Sequence, residues 1–337
     1  MTDQDQWYIY RGDSEPHDGI AALPDPPPWR TFSRPAGPGE RVWADTTAID
    51  GHGPANHPVV YLPDRDVVEL VNAALYLRRP LLVTGKPGTG KSTLAHDVAR
   101  ELKLGPVLYW PITSSSNLKE ALYQYDAIGR LQEASLHRSA EPPDVGKYIR
   151  LGPLGTALLP WPRPRVLLID ELDKSDIDLP NDLLNIFEEG RFDIPELTRL
   201  PDDQARISVM TEDADVSQTV VGGRVQCAAF PFVVITSNGE REFPPPFLRR
   251  CVRLSIQPPD AGKLAKIVAG HLGPAASTDS ERLIERFLST RDRGDLATDQ
   301  LLNAFYLAGA GTRPADDIRQ RLYTALFQPL DSSARQE

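Results

Sequence analysis

A glycine-rich segment constrains the fold of this chain more than any other feature. The segment is Gly85-Lys86-Pro87-Gly88-Thr89-Gly90-Lys91-Ser92, a complete match to the pattern GxxxxGK[ST]. The apolar run Leu81–Thr84 precedes it and the helix-compatible run Lys91–Leu102 follows, which predicts a strand, a loop and a helix in succession. A chance glycine-rich turn would lack both flanking elements. The chain should therefore build an α/β domain around a phosphate-binding loop.

The residue types of this loop explain why it would hold phosphate. Glycines let the backbone curl so that successive N–H groups face phosphate oxygens, and the following helix adds the positive end of its dipole. Lys91 is expected to reach the β- and γ-phosphates of a nucleotide, and the Ser92 hydroxyl to ligate Mg²⁺. The predicted nucleotide-binding residues are Gly85, Lys86, Pro87, Gly88, Thr89, Gly90, Lys91, Ser92 and Thr93.

A second apolar run ends in two carboxylates. Val166–Ile169 is followed directly by Asp170 and Glu171, and parallel strands present their last residues at the edge of the sheet where ligands bind. Asp170 is expected to hold Mg²⁺ through water, and Glu171 to polarise the water that attacks the phosphate. A strand that merely ends in a polar turn is the alternative, which the phosphate loop earlier in the chain disfavours.

Two further motifs follow along the chain. The apolar run Phe232–Thr236 leads to Asn238, whose amide is expected to position the attacking water and sense the γ-phosphate, although a turn-capping asparagine is the alternative. The pair Arg249 and Arg250 closes the short segment Phe247–Cys251. In isolation these arginines would be solvated charges. Their place after the Asn238 strand suggests an arginine finger, supplied to the nucleotide of a neighbouring subunit to neutralise charge in the transition state.

The alternation of strands and helices predicts the fold class. We expect an α/β chain in which a P-loop NTPase αβα sandwich with a parallel sheet is followed by a small α-helical lid domain. The expected segments are a proline-rich, aromatic N-terminal arm over 1–60, the nucleotide-binding domain over 61–258, the lid over 259–330 and a polar tail over 331–337. Two stretches, at about 115–162 and about 190–229, interrupt the alternation.

The N-terminal arm combines features that usually exclude each other. Its prolines, clustered between Pro24 and Pro38, disfavour helices and predict an extended segment. Its aromatic residues, among them Trp7, Tyr10 and Trp29, are too many for a solvated tail. We therefore expect a strap that lies on the domain or on a neighbouring subunit.

Composition narrows the classes of partner and the compartment. The 337 residues carry a formal net charge of −10, and an acidic surface disfavours nucleic acid as a partner. Two cysteines without CxxC spacing and scattered histidines predict neither a disulfide framework nor a zinc site. The acidic start of the chain does not resemble a signal peptide, and the apolar runs are too short for a membrane span, which predicts a cytoplasmic protein.

The order of these motifs resembles that of AAA+ ATPases. Phosphate loop, Asp-Glu strand, Asn strand, arginine pair and helical lid succeed one another as in that superfamily. Four segments more narrowly resemble the MoxR family: Ile235–Pro244, Phe247–Cys251, Ala121–Ala127 and Leu151–Leu154. The resemblance covers about residues 60–330.

The resemblance implies more than the residues alone do. It implies ATP and Mg²⁺ as ligands, a helix-2 insert over about 115–162 that faces a central pore, and a hairpin over about 190–229 before the Asn strand. MoxR proteins are hexameric, chaperone-like remodelers of other proteins, commonly with a partner that contains a von Willebrand A domain. In the family pattern Arg250 matches the finger position better than Arg249, and Arg291 or Arg293 would supply a lid-borne sensor. The long arm is associated with members in bacterial conflict and defence gene clusters.

Three function classes remain open on the sequence. The first is an ATP-driven remodeler of partner proteins with catalysis between subunits. The second is a nucleic-acid motor, which the acidic charge and the absence of a recognisable DNA-binding appendage disfavour. The third is a signalling switch in which bound nucleotide only sets assembly, which the joint presence of Glu171, Asn238 and the arginine pair disfavours.

Overall fold

The computed structural model describes residues 7–32, 61–136, 144–201, 204–272, 280–291, 294–309 and 316–328. Several predictions fall outside these described residues, namely those on 33–60 of the arm, on Arg293 and on the tail. The strands are β1 Leu81–Thr84, β2 Leu108–Pro111, β3 Tyr123–Tyr125, β4 Ile149–Leu151, β5 Val166–Asp170, β6 Arg191–Asp193, β7 Arg206–Met210, β8 Ser217–Val221, β9 Arg224–Gln226, β10 Phe232–Ser237 and β11 Val252–Ser255.

The helices surround and follow these strands. They are α1 Arg65–Leu77, α2 Lys91–Glu101, α3 Leu118–Leu122, α4 Ala127–Leu136, α5 Pro153–Ala157, α6 Leu179–Glu189, α7 Pro195–Thr198, α8 Pro245–Leu248, α9 Ala261–Leu272, α10 Ser280–Arg291, α11 Thr298–Gly309 and α12 Asp316–Leu326. Short 3₁₀ turns lie at Gly19–Ala22, Pro28–Arg30, Val145–Tyr148 and Leu172–Lys174. No helix among the described residues is long and apolar enough to cross a bilayer.

A five-stranded parallel sheet forms the centre of the molecule. Its order is β11-β1-β10-β5-β2, and all neighbouring strands run parallel. The central strand β10 is buried along its whole length. This burial is expected because helices or other segments cover both faces of a parallel sheet, so its inner strands are mostly apolar on both faces. The predicted α/β sandwich with a parallel sheet is confirmed.

Alternating residues of this sheet pack into two separate cores. On one face Leu81 and Val83 of β1 join α1 and α2 in a buried cluster. On the other face Leu82 joins α6 and the segment around α5 in a second cluster. This alternation follows from the period of two along a strand, and it fixes the direction in which each strand presents its terminal side chains.

The two stretches that interrupt the strand–helix alternation form one second sheet. Its order is β3-β4-β7-β8-β9-β6, so strands from about 115–162 and from about 190–229 hydrogen-bond to each other. The link is β4 against β7, with Arg150 opposite Met210. The hairpin of β7 and β8 is antiparallel, from Arg206 opposite Val221 to Met210 opposite Ser217. The sequence indicated only that these two stretches interrupt the alternation, and it did not predict that they pair in one sheet.

Helices α9 to α12 follow as the predicted helical region. They bury a core of their own that includes Leu264, Phe287, Leu301 and Phe327. Lys263 of α9 donates to the Asp64 carboxylate at the start of α1 over 2.8 Å. This ion pair joins the helical region to the sheet domain on the side that carries the phosphate loop.

The described part of the N-terminal arm, residues 7–32, lies on the sheet domain. We call these residues the strap. The buried Asn72 side chain of α1 accepts hydrogen bonds from the backbone N–H groups of Ile9 and Tyr10, over 2.7 and 3.0 Å. The Tyr10 hydroxyl donates to Asp97 of α2 over 2.6 Å. Burial and the Asp97 charge raise the pKa of Tyr10 far above its ordinary value, which keeps the donated proton in place.

A buried carboxylate holds the next part of the strap. The Glu101 side chain of α2 accepts backbone hydrogen bonds from Gly12 and Ser14, over 3.0 and 3.1 Å. Asp13, His17 and Glu101 also bring potential metal-ligand atoms within 4.8 Å of one another. Because the Glu101 oxygens already accept backbone N–H groups, this cluster is explained as an anchor of the strap.

Candidate active site at the carboxyl edge of the parallel sheet

The glycine-rich loop connects β1 to α2 with a backbone that needs its glycines. Gly88 and Gly90 have φ values of +71° and +85°, in the left-handed region that favours glycine. A Cβ atom on Gly88 would lie 2.4 Å from the Cβ of Ala297 in the helical lid. The sequence therefore combines a sharp turn with close approach of the lid, and α2 begins at Lys91 with its free N–H groups directed into the loop.

Lys91 is folded back into the loop. Its ammonium group donates to the carbonyl oxygens of Gly85 and Lys86, over 2.8 and 2.9 Å, and to Asn238 Oδ1 over 2.8 Å. The residue is 7% exposed. Burial lowers the pKa of Lys91, while the charges of Asp170, Asp173 and Glu171 oppose that shift. Among the described residues no carboxylate forms an ion pair with this partly desolvated ammonium, which is therefore suited to receive an anionic phosphate.

Asp170, the last residue of β5, accepts hydrogen bonds from hydroxyl groups on three other elements. Ser92 Oγ of α2 and Thr236 Oγ1 of β10 donate to Asp170 Oδ1 over 2.7 and 2.6 Å, and the Tyr109 hydroxyl donates to Oδ2 over 3.3 Å. The predicted Mg²⁺ residues Ser92 and Asp170 are therefore in direct contact. Hard oxygen donors of this kind, beside a phosphate loop, fit the ligand preference of Mg²⁺.

Glu171 adopts a backbone conformation that is unusual for a glutamate. Its φ is +60°, in the left-handed region, where a residue other than glycine costs of the order of 1–3 kcal/mol. The surroundings hold it there, since its N–H donates to Thr236 Oγ1 over 2.8 Å and Lys174 donates to its Oε2 over 2.7 Å. In this conformation Glu171 Oε1 accepts from Asn238, the residue that follows β10.

Asn238 joins the phosphate loop to Glu171. Its Oδ1 accepts from Lys91 Nζ over 2.8 Å, and its Nδ2 donates to Glu171 Oε1 over 3.1 Å. One amide thus spans the distance between the loop cation and the carboxylate that follows β5. The structure places these three predicted residues side by side.

Asp173, which was not among the predicted site residues, supports this arrangement. Its Oδ2 accepts from the backbone N–H groups of Asn238 and Glu240, both over 3.0 Å. Asp173 is 3% exposed, and its Oδ1 has no hydrogen-bond partner among the described residues. Its place three residues after Asp170, in a turn at the ligand edge, was the available signal. Thr236, Tyr109 and Lys174 were likewise not anticipated.

The lid contacts the phosphate loop directly. Lys86 forms an ion pair with Asp295, and the backbone of Ala297 and Thr298 lies against Gly88. Of the two arginines considered as lid sensors, Arg291 donates to the Pro259 carbonyl oxygen over 2.8 Å, at the entrance to α9. Arg293 lies outside the described residues.

The arginine pair lies at the opposite edge of the sheet. Val252, the first residue of β11, is paired with Leu81, the first residue of β1, and the strands are parallel. Arg249 and Arg250 precede β11, whereas the phosphate loop follows β1, and four residues of strand span roughly 13 Å. Arg250 donates to Glu188 Oε1 over 2.8 Å and Arg249 to the Pro245 carbonyl oxygen over 3.4 Å. Within one chain the pair does not join the other predicted site residues.

The chain was compared with curated proteins and with protein families. A search among curated proteins found no significant match. The family described as AAA domain (dynein-related subfamily) matches residues 80–251, just over half of the 337-residue chain. The matched region begins at β1, includes the phosphate loop, the Asp170–Glu171 strand and the Asn238 strand, and ends after the arginine pair. The chain therefore belongs to the dynein-related subfamily of AAA domains and is an AAA+ ATPase.

Proposed function

We propose that this chain hydrolyses ATP with Lys91, Asn238 and Glu171 as its central catalytic group. The observation that carries the proposal is the Asn238 amide, which contacts the loop ammonium on one side and the carboxylate on the other. Lys91 would leave the loop carbonyl groups for the β- and γ-phosphates. Glu171 would orient and polarise the attacking water, and Asn238 would hold that water in line with the phosphate. The loop from Gly85 to Thr93 would surround the phosphates with the backbone N–H groups of its residues other than Pro87, which has none.

Ser92 and Asp170 would hold Mg²⁺ in this proposal. Their oxygens are 2.7 Å apart, and Thr236 would keep Asp170 in place by donating to it. When bound, the ion offsets the negative charge of the phosphates and of the leaving group. A cation held by these two oxygens would take the place of the hydrogen bond that Ser92 now donates to Asp170, and the Ser92 hydroxyl would keep its proton.

The arginine pair would act on the nucleotide of a neighbouring subunit. Because Arg250 lies at the edge of the sheet opposite its own phosphate loop, it is directed at a surface and not at its own site. A ring in which one subunit's Arg250 faces the next subunit's loop would complete each site, with Arg249 as the second candidate. We propose a homo-oligomer, with six subunits as in the MoxR family. In the lid, Arg291 and Arg293 remain the candidates for a nucleotide sensor.

The proposed biological role is chaperone-like remodeling of partner proteins in the cytoplasm. The MoxR-like segments support it, and such proteins commonly work with a partner that contains a von Willebrand A domain. The arm supports a role in bacterial defence through its resemblance to members in conflict gene clusters. The net charge of −10 argues against nucleic acid as the remodeled substrate.

Hydrolysis is tested by phosphate release from ATP. The purified protein should release phosphate only with Mg²⁺ present, and Glu171→Gln should bind ATP without turning it over, since the amide keeps the shape but not the charge. Glu281→Gln, an exposed position in the lid, is the matched control. Native-rate turnover by a folded Glu171→Gln variant would remove Glu171 from the mechanism.

The shared site is tested by mixing two inactive variants. Arg250→Ala should bind ATP normally and lose on the order of 10³–10⁵ in turnover, as removal of an arginine finger does in other nucleotide hydrolases. Mixed with Glu171→Gln, it should regain activity, because some interfaces then combine an intact carboxylate with an intact finger. Absence of recovery in a mixture shown to co-assemble would mean that Arg250 does not act in trans.

A further inference from the structure

Glu188, near the end of α6, lies between two arginines. Its Oε1 accepts from Arg250 Nε over 2.8 Å, and its Oε2 accepts from Arg30 Nη1 over 3.3 Å. Arg250 belongs to the arginine pair before β11, and Arg30 belongs to the strap. A single carboxylate thus connects the N-terminal strap to the proposed trans-acting arginine.

Arg30 is not an ordinary surface cation. Its side chain is 5% exposed, its Nη2 donates to the Arg78 carbonyl oxygen over 2.6 Å, and its guanidinium lies 5.3 and 5.0 Å from the ring centres of Phe32 and Phe230. Burial lowers the pKa of Arg30 and the Glu188 charge opposes the shift, but an arginine stays protonated in proteins. A buried cation needs a counter-charge, and among the described residues Glu188 provides it.

Because the Arg30 guanidinium is buried, its ion pair holds the Glu188 side chain in place more firmly than an exposed ion pair would. The Glu188 and Arg250 side chains are 42% and 39% exposed, and isolated pairs at such positions hold their partners weakly. Here one carboxylate oxygen is committed to Arg30, so the other is presented to Arg250 in a defined place. The Arg250 Nη1 also donates to the Pro246 carbonyl oxygen over 3.1 Å.

The strap that carries Arg30 is itself attached along the domain. Its first part is bound by Asn72 and Asp97, and Asp18 forms ion pairs with Lys103 and Arg163, over 3.1 and 3.2 Å. Its last described residue, Phe32, stacks on Phe230 with 5.0 Å between ring centres. The position of Arg30 is therefore set by the whole strap.

We propose that Glu188, fixed by Arg30 of the strap, is a positioning residue for Arg250. It holds the guanidinium at the subunit surface in the orientation that a neighbouring nucleotide requires. This inference rests on the proposed function, since it presupposes that Arg250 acts in trans. Preorganisation matters here because a misplacement of about 1 Å in a catalytic group can cost on the order of 10²-fold in rate.

The first test compares Glu188→Gln with Glu189→Gln. Glu189 is the adjacent residue of α6 and pairs with Arg191 over 2.9 Å, away from the arginine pair. Glu188→Gln should lower kcat on the order of 10- to 100-fold with the KM for ATP unchanged, because the transition state loses a contact that the bound nucleotide does not make. Glu189→Gln should keep the native kcat. Arg30→Gln should lower kcat in the same direction, and it serves as the second variant if Glu188→Gln does not fold.

The second test uses mixed assemblies and separates positioning from general damage. Glu188→Gln mixed with Glu171→Gln should recover activity, because the Glu171→Gln subunits supply well-placed fingers to the intact sites of the Glu188→Gln subunits. Glu188→Gln mixed with Arg250→Ala should not recover, because both lack an effective finger. A variant damaged in its own nucleotide site would show neither pattern.

The outcomes distinguish this inference from the proposed function. Recovery by Arg250→Ala with Glu171→Gln, but not by Glu188→Gln with Glu171→Gln, would overturn the positioning role and leave the shared site standing. A Glu188→Gln variant as active as the native protein, or more active, would also overturn it. Failure of both mixtures would remove the trans-acting finger and the inference with it.

Discussion

At the scale of single residues, the site is held together by groups that can exchange partners. The Lys91 ammonium is bound by two loop carbonyl oxygens and by Asn238, all of which are neutral acceptors. A γ-phosphate carries charge and would compete for the ammonium more strongly than any of them. Asn238 would then be released on one side while it still donates to Glu171. In the proposed mechanism, the amide would thereby signal the presence of the phosphate to the carboxylate.

The first prediction at this scale concerns Lys91. Lys91→Ala should abolish ATP binding, since the phosphates lose their main side-chain counterion in a partly buried site. Calorimetric titration of the folded variant with Mg-ATP measures this. Lys266→Ala, an exposed lysine of α9, is the control and should bind as the native protein does. Unchanged affinity in Lys91→Ala would refute the assignment of the phosphate loop.

The second prediction concerns Asp173, whose carboxylate accepts from the N–H groups of Asn238 and Glu240. Asp173→Ala leaves two donors unpaired, and an unsatisfied buried group costs about 1–3 kcal/mol. We expect a loss of free energy of unfolding of that size or more, measured in urea, and reduced kcat because Asn238 shifts. Asp173→Asn retains an acceptor and should lose less of both. If both variants turn over ATP at the native rate, Asp173 does not position Asn238.

At the scale of elements, the strap is attached through side chains of α1, which precedes β1, and of α2, which follows the phosphate loop. Asn72 of α1 is fully buried, and besides accepting from Ile9 and Tyr10 it donates to the Tyr10 carbonyl oxygen over 2.7 Å. Asp97 of α2 accepts from the Tyr10 and Ser14 hydroxyls, and Glu101 of α2 accepts from the Gly12 N–H. The helix that begins at the phosphate loop is therefore also a docking surface for the N-terminal segment.

The third prediction follows from this attachment. Asn72→Ala should lower the free energy of unfolding by at least about 2 kcal/mol, because several buried backbone groups lose their partner at once. Limited proteolysis should then cut within residues 7–32 sooner than in the native protein. Asn303→Ala, an exposed asparagine of α11, should change neither. A stable, protease-resistant Asn72→Ala variant would show that the strap is held by its other contacts alone.

An element can be predicted from the sequence when neighbouring residues alone determine it, and not when it depends on contacts between distant parts of the chain. The strand before the loop was predicted at Leu81–Thr84 and occurs there, because a short apolar run before a glycine-rich loop has few alternatives. The second sheet was not foreseen, since several of its strands have only three residues and its members pair across long separations. Ile9 of the strap and Asn72 of α1, which are hydrogen-bonded to each other, are 63 residues apart along the chain. Contacts between such distant residues produce no hydrophobic periodicity from which they could be predicted.

Some residues of the candidate site could likewise be placed from the sequence, and others could not. Asp170 and Asn238 could be placed at one edge because parallel strands end together, and the structure brings both to that edge. Their roles in catalysis stay predictions. Glu188 and Arg30 could not be connected to Arg250 from the sequence, because their contact depends on how the strap crosses the amino edge of the sheet.

At the scale of the whole molecule, the predicted site residues lie at two opposite edges of the parallel sheet. The carboxyl edge holds the phosphate loop with Asp170 and Asn238, and the amino edge holds the arginine pair with the strap. If Arg250 is the trans-acting finger proposed above, each chain would carry a nucleotide site that lacks this cation and would offer its own Arg250 to the site of another chain. Association of chains would bring the two together, and the net charge of −10 would oppose association at low ionic strength.

The last prediction follows from this division. If each site is completed by a second chain, turnover per subunit should fall as the protein is diluted, because dilution separates the finger from the site it serves. ATP binding per subunit should fall much less, since the phosphate loop belongs to one chain. The measurement is phosphate release against protein concentration, with sedimentation at the same concentrations to report the assembly. Arg250→Ala is the control: its residual turnover should not vary with concentration, because its interfaces add no finger. Constant turnover per subunit in native protein that sediments as a monomer would show that one chain contains the complete site.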